Sequence, residues 1–125
     1  MGEDREYPAD RLRLVFGPGA MMGPGKAELL ERIRATGSIA AAGREMGMSY
    51  KRAWQLVETM NAMFRAPVVE STRGGAKGGG AVVTETGVAV LRAFRAYEAA
   101  ARAAGAPHVA AMQALLKDFD TGREN

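Results

Sequence analysis

The 125-residue chain contains no cysteine and one histidine, His108. The first absence excludes disulfides, thiolate nucleophiles and cysteine-ligated metals. The second leaves a histidine-based metal site without a partner ligand, so His108 is expected to be exposed or capping. No apolar run reaches the ~18 residues that span a bilayer. The first ten residues carry Glu3, Asp4, Glu6 and Asp10 against Arg5 alone, which is unlike a signal peptide. The expectation is a soluble cytoplasmic protein with no membrane partner. There is no nucleophile–base constellation; Glu28 and Glu31 read as a solvated helix face rather than a catalytic pair. Neither an enzyme nor a cofactor is expected.

What is there suits one domain with one core. Apolar residues make up 47%, too many for a chain disordered by composition. The eight methionines scatter through helix and loop positions and read as gap-filling core. A net charge of +3 leans only weakly basic, but its distribution says more. Residues 44–77 hold Arg44, Lys51, Arg52, Arg65, Arg73 and Lys77 against Glu45, Glu58 and Glu70. Basic charge gathered in one segment is the footprint expected for a polyanion partner.

Periodicity divides the chain. Residues 1–10 read as a flexible N-terminus, RLRLVF (11–16) as a strand and the Gly/Pro-rich 17–25 as a loop. A helix follows over 26–35, with Leu29, Leu30 and Ile33 as its stripe, ended by Gly37. Ser38 caps a helix over 39–46, and Ser49 caps one over 50–64, which Pro67 prevents from continuing. The period then changes to two. PVVEST (67–72) and AVVTE (81–85) form a hairpin around a glycine-rich basic tip, RGGAKGGG (73–80). A phosphate-binding nucleotide loop is rejected for the tip, because Gly78 follows Lys77 where Ser or Thr is needed and the segment joins two strands. Thr84 or Thr86 caps a long Ala-rich helix to about 104. Gly105 and Pro107 break it, and 108–119 supply one more short helix in a tail over 105–125.

The segment GMSYKRAWQLVETMN (47–61) carries the most chemistry. Gly43, flanked by Ala41 and Ala42, fits the close crossing of a helix-turn-helix, and Gly47 fits its sharp turn. Lys51, Arg52 and Gln55 share one face of the second helix; Ala53, Trp54, Val57, Met60 and Phe64 fall on the other. Trp54 reads as core rather than as a base-stacking group. Lys51 and Arg52 occupy a first turn where the helix dipole disfavours cations by ~0.3–1 kcal/mol each, a local rule whose breach a phosphate or guanine edge would compensate. Gln55 suits an adenine edge and Arg52 a guanine. The blander readings are an ordinary helical hairpin and solvated basic side chains. In the long helix, Val88, Leu91, Phe94 and Tyr97 make a stripe. It serves either as a dimer contact on an overhanging helix or as the inner face of a helix folded over its own core.

SYKRAW (49–54), the hairpin PVVESTRGGAKGGGAVVT (67–84) and the following Thr86-Gly87 with a long helix resemble the N-terminal DNA-binding domain of ModE-type molybdate-dependent transcriptional regulators. The resemblance spans roughly 11–104. It implies an α+β, mainly α, winged helix-turn-helix with a long dimerisation helix, binding an inverted repeat in double-stranded DNA as a homodimer, in molybdenum-related gene control. Ser49, Tyr50, Lys51, Arg52 and Gln55 would then belong to the reading helix. Arg73, Lys77 and glycines 74, 75, 78, 79 and 80 would belong to the wing. The family's wing usually runs Gly-Gly-Lys-Gly-Gly-Gly-Gly; here Ala76 displaces the lysine by one place. Full-length members also carry small molybdate-binding barrels, and nothing after residue 105 has the pattern of one. The expectation is therefore a regulator whose DNA binding does not answer molybdate directly, with sensing in a separate protein or control through its own abundance. A site at the dimer interface lined by Arg92, Arg95 or wing amides is the contrary case. Two other functions compete: a winged-helix protein-interaction module, and a protein that binds an oxyanion directly.

Overall fold

The computed structural model describes residues 11–75 and 78–117. Two short strands, β1 (Leu14–Gly17) and β2 (Ala20–Met22), are followed by helices α1 (Pro24–Thr36), α2 (Ile39–Glu45) and α3 (Tyr50–Met63). Strands β3 (Val69–Gly75) and β4 (Gly78–Val83) come next, and the long α4 (Glu85–Gln113) closes the chain. Each sheet is an antiparallel pair, β1–β2 and β3–β4. The fold is α+β, mainly helical, with a long C-terminal helix. Its element order and packing fit a winged helix-turn-helix.

Local chemistry accounts for the helix boundaries. Pro24 at the first helical position needs no N–H partner, so α1 begins two residues earlier than the apolar pattern suggests. Gly37 ends it, donating its N–H to the Ile33 carbonyl at 2.7 Å. Ser38 Oγ accepts from Ala41 N at 3.0 Å, and Ser49 Oγ from Arg52 N at 3.1 Å, starting α2 and α3. Between them Gly47 has φ 75°, the left-handed conformation that favours glycine. At the crossing, a Cβ on Gly43 would lie 2.9 Å from the Ala53 Cβ, so the helices approach as closely as a helix-turn-helix requires.

The core lies between these helices, the β3–β4 hairpin and the first turns of α4. Leu29, Leu30 and Ile33 of α1, Ala53, Val57 and Met60 of α3, and Leu91 and Phe94 of α4 are all buried. Val69 pairs with Val83 and Glu70 with Val82; the valine pair points inward and the other outward. Asn61 ties the end of α3 to this hairpin. Its Oδ1 accepts from the N–H groups of Val68 (2.8 Å) and Val69 (3.2 Å), and its Nδ2 donates to the Val69 carbonyl (3.1 Å). Thr84 is the cap of α4: its hydroxyl accepts from Gly87 N at 3.0 Å and donates to the Pro67 carbonyl at 2.6 Å. Thr86 has no such part.

Three local expectations change. The segment 17–25 is not all loop. Pro18-Gly19 makes a tight turn, and Ala20–Met22 returns as β2, with Leu14 opposite Met22 and Val15 opposite Met21. The glycines and prolines that read as loop are turn residues of a hairpin. Second, Gly105 and Pro107 do not break the chain; both lie inside α4, which continues to Gln113. A proline forfeits one main-chain bond, and the surrounding alanines carry the highest helix propensity of any residue. Third, Trp54 is not core; it is 42% exposed. The expected flexible N-terminus, the last residues of the tail and the wing tip at Ala76 and Lys77 lie outside the described residues.

Candidate nucleic-acid interface

Helix α3 turns by about 100° per residue, and this decides what each of its side chains faces. Ala53, Val57 and Met60 define the buried side. Lys51 and Gln55 project from the opposite, exposed side. Tyr50 and Trp54, one turn apart, lie on one flank; Arg52 and Leu56, also one turn apart, lie on the other. Ser49 is consumed as the cap. Of the five residues expected on the reading helix, Tyr50, Lys51, Arg52 and Gln55 are thus all exposed, but they point in three directions.

On the Tyr50–Trp54 flank the wing comes close. The two rings, together with Ser38, Ser71, Thr72 and Gly80, line an open hollow of about 290 Å³ between α3 and the hairpin. Tyr50 is 56% exposed. Thr72 Oγ1 accepts from Gly80 N at 3.0 Å, and Ala81 N donates to the Gly37 carbonyl at 2.9 Å, fixing the hairpin against the α1–α2 turn. Trp54 was missed as a candidate for this surface because helical spacing puts it only at the border of the buried side. An open hollow lies between it and the hairpin and leaves its ring accessible. Arg73 lies in β3 by its backbone, and Lys77 falls outside the described residues.

The stripe on α4 is spent within the chain. Leu91 and Phe94 are buried in the core, and Val88 and Tyr97 pack against it. The Phe94 and Tyr97 rings lie 6.2 Å apart. Of the two readings of this stripe, the inner face of a folded-over helix describes its position. Beyond Tyr97 the helix carries no buried residue. Large apolar side chains that remain exposed are Val15 and Phe16 on β1, Val82 on β4, and Met112, Leu115 and Leu116 at and just after the end of α4.

Arg95, one of the residues considered for an oxyanion site, is already engaged. Its Nε and Nη2 donate to the two carboxylate oxygens of Glu31 at 2.9 and 2.8 Å, and its Nη1 donates to Glu98 at 2.7 Å. Hydrogen bonding to Glu31 raises the guanidinium further above its usual value; burial opposes this, and the bond to Glu98 adds a lesser rise. Glu28 and Glu45 share Arg32 in the same way. Glu28 and Glu31 are therefore ion-pair partners and not a carboxylate couple. Among the described residues there is no group of three His, Asp or Glu side chains that could hold a metal, and no helix is long and apolar enough to cross a membrane.

No family model matches the chain. It is 51% identical over 81 residues to the molybdenum-pterin-binding protein MopB of Rhodobacter capsulatus, an alignment covering 65% of this chain and 30% of that protein. It is 35% identical over 88 residues to the molybdenum transport protein ModE of Azotobacter vinelandii, covering 70% and 33%. It is 37% identical over 71 residues to the DNA-binding transcriptional dual regulator ModE of Escherichia coli, covering 57% and 27%. The chain thus spans about a third of the length of these relatives. The similarity is to molybdenum-associated binding and regulatory proteins, and none of the three is named as an enzyme.

Proposed function

We propose that the chain is a ModE-like, sequence-specific DNA-binding unit that acts in molybdenum-related gene control. The observation that carries this reading is the exposed side of α3, where Lys51 and Gln55 project beside a hairpin wing. An α-helix presented in this way fits the major groove, with the wing lying along the backbone. In this reading Gln55 and Lys51 meet base edges, and Arg52, expected at a guanine edge, instead faces the cavity on the flank of α3 away from the wing. Tyr50 and Trp54 pack on the sugar–phosphate strand under the wing, and Arg73 and Lys77 reach phosphates. The similarity to two ModE proteins supports the same reading.

The chain works as a homodimer on an inverted repeat, with the DNA-binding unit over 11–104 and the end of α4 beyond it, since two half-sites supply the contacts that one reading helix lacks. With the α4 stripe committed to its own core, the dimer contact moves to the exposed apolar side chains of β1 and of the end of α4. Selection from a random duplex library, followed by competition between the selected and scrambled sequences, tests the function. The expected result is a two-fold symmetric site preferred at least a hundredfold, with affinity falling steeply with salt. Binding of equal strength to every duplex would overturn it.

A further inference from the structure

On the flank of α3 away from the wing, the surface is hollow and strongly positive. A cavity of about 490 Å³ opens between the β1–β2 hairpin, the start of α1 and the first two turns of α3. Arg11 and Arg13 line it from the hairpin side, Lys26 from α1 and Arg52 from α3, over a floor that includes Met48 and Leu56. No acidic residue is among its lining residues.

These cations are not spent on each other's neighbours. The ion pairs of Arg32 and Arg95 use Glu28, Glu31, Glu45 and Glu98, and none of these carboxylates reaches Arg11, Arg13 or Arg52. Lys26 donates to the Met21 carbonyl at 2.8 Å, which holds the ammonium without neutralising it. Burial, and then the charge of Arg52, keep Lys26 below its ordinary value. Four basic residues, two from the segment before β1, one from α1 and one from α3, therefore line one space with no counter-charge among the described residues. The first turn of α1 adds free N–H groups, because its cap Gly23 brings no side-chain acceptor and the turn holds no acidic residue.

We propose that this cavity is a seat for a tetrahedral phosphate-type oxyanion. Arginine forks and an ammonium supply convergent donors, and a doubly charged oxyanion supplies the missing negative charge. The same chemistry has two sources: a backbone phosphate of the duplex, or a free oxyanion from solution. The first rests on the proposed DNA-binding function and gives it a second backbone contact, on the side of α3 opposite the wing. The second does not depend on DNA at all.

Two arms of one experiment separate them. In the first, inorganic phosphate is titrated into the protein at constant ionic strength, with sodium chloride as control, and backbone amides are followed by NMR. Saturable shifts are expected at Gly25, Lys26, Met48 and Arg13. They should be lost in an Arg13→Gln/Lys26→Gln double variant and retained in Lys26→Arg, with the melting temperature as the check on folding. In the second, the same variants bind duplexes. A contact to a duplex phosphate should show as weakening of several-fold on every sequence alike, with a log–log salt slope smaller by about one. Saturable phosphate shifts with unchanged DNA binding would assign the site to a free oxyanion. Should the protein bind no DNA at all, the functional reading fails and the first arm still decides the cavity. Non-saturable shifts in wild type together with an unchanged salt slope in the variants would overturn the proposal.

Discussion

Single residues hold α3 and the hairpin together where no periodic pattern would flag them. Asn61 satisfies the N–H groups of Val68 and Val69 and one carbonyl, using both ends of its amide. Asn61→Ala leaves two donors without partners in a half-buried place, and should cost ~1–3 kcal/mol of stability in urea unfolding. Gly87 is a second case. A Cβ there would collide with the Val68 carbonyl, which already accepts from Thr84 N at 3.0 Å. Gly87→Ala should therefore displace the hairpin from α4 and lower the melting temperature by several degrees, since ~1 kcal/mol corresponds to ~4–8 °C in a domain near this size. Lys26 makes a prediction about pH. Its folded-state value lies below the ordinary 10.5, so the unfolded chain binds that proton more tightly. The charge is a liability while both states are protonated, and the liability fades as pH rises through the window just below 10.5. Wild type should gain stability relative to Lys26→Met across that window in denaturant melts; a constant difference would mean that the ammonium is not perturbed by the fold.

At the scale of elements, α4 is two different helices in one. From Thr84 to Glu98 it is anchored by its cap, by Leu91 and Phe94 in the core, and by the bidentate Arg95–Glu31 pair to α1. After that it runs past the core through Gly105 and Pro107 with no buried residue. A helix without tertiary packing is marginal in water at this length. Amides 108–113 should exchange with solvent at least a hundredfold faster than those of 91–97 in the free protein. Comparable protection would show that the overhang is covered, which a dimer through Met112, Leu115 and Leu116 would achieve. Helix α3 and the wing make a matching case. Trp54 is the only tryptophan, and its ring stands open beside the hairpin. Its emission should be readily quenched by acrylamide in the free protein and protected several-fold by a bound duplex. Unchanged quenching would place the Tyr50–Trp54 hollow outside the DNA interface.

Seen whole, the molecule presents α3 between two unlike shoulders, an aromatic and hydroxyl-rich one under the wing and a cationic one under the β1–β2 hairpin. In the proposed function this separates affinity from specificity. Gln55→Ala should cost ~1–3 kcal/mol at one base position and relax the preference there, while variants of the shoulders should weaken all sequences together. A uniform loss from Gln55→Ala would move that residue off the bases. The symmetry of the proposed site also demands two reading units. Sedimentation at tens of micromolar should find a dimer, and charges placed at Val15 or Phe16 should give folded monomers, whereas charges at Leu91 or Phe94 should give unfolded chain. Monomeric wild type would refute the dimer.

The helices and their joints could be read along the chain because their causes are local. Ser38 and Ser49 each cap within three residues, Gly43 meets Ala53 only ten residues away, and Gly47 needs nothing beyond its own φ. The winged hairpin was equally readable from two β-branched runs. Orientation was not. Trp54 sits one residue from the buried Ala53, and a 100° step leaves its exposure to whatever element lies alongside. The stripe of α4 has the same spacing whether it meets its own core or a second chain; only the tertiary structure shows Leu91 and Phe94 buried within the chain. Pro107 breaks a helix by local rule, and the alanines around it carry the helix through. The cationic cavity joins Arg11 and Arg13 ahead of β1, Lys26 of α1 and Arg52 of α3, residues spread over about forty positions, and no spacing along the chain could bring them together. Short-range hydrogen bonds and side-chain periods are written in the sequence itself. Which faces meet, and which charges are left facing one another, are settled by packing among distant segments.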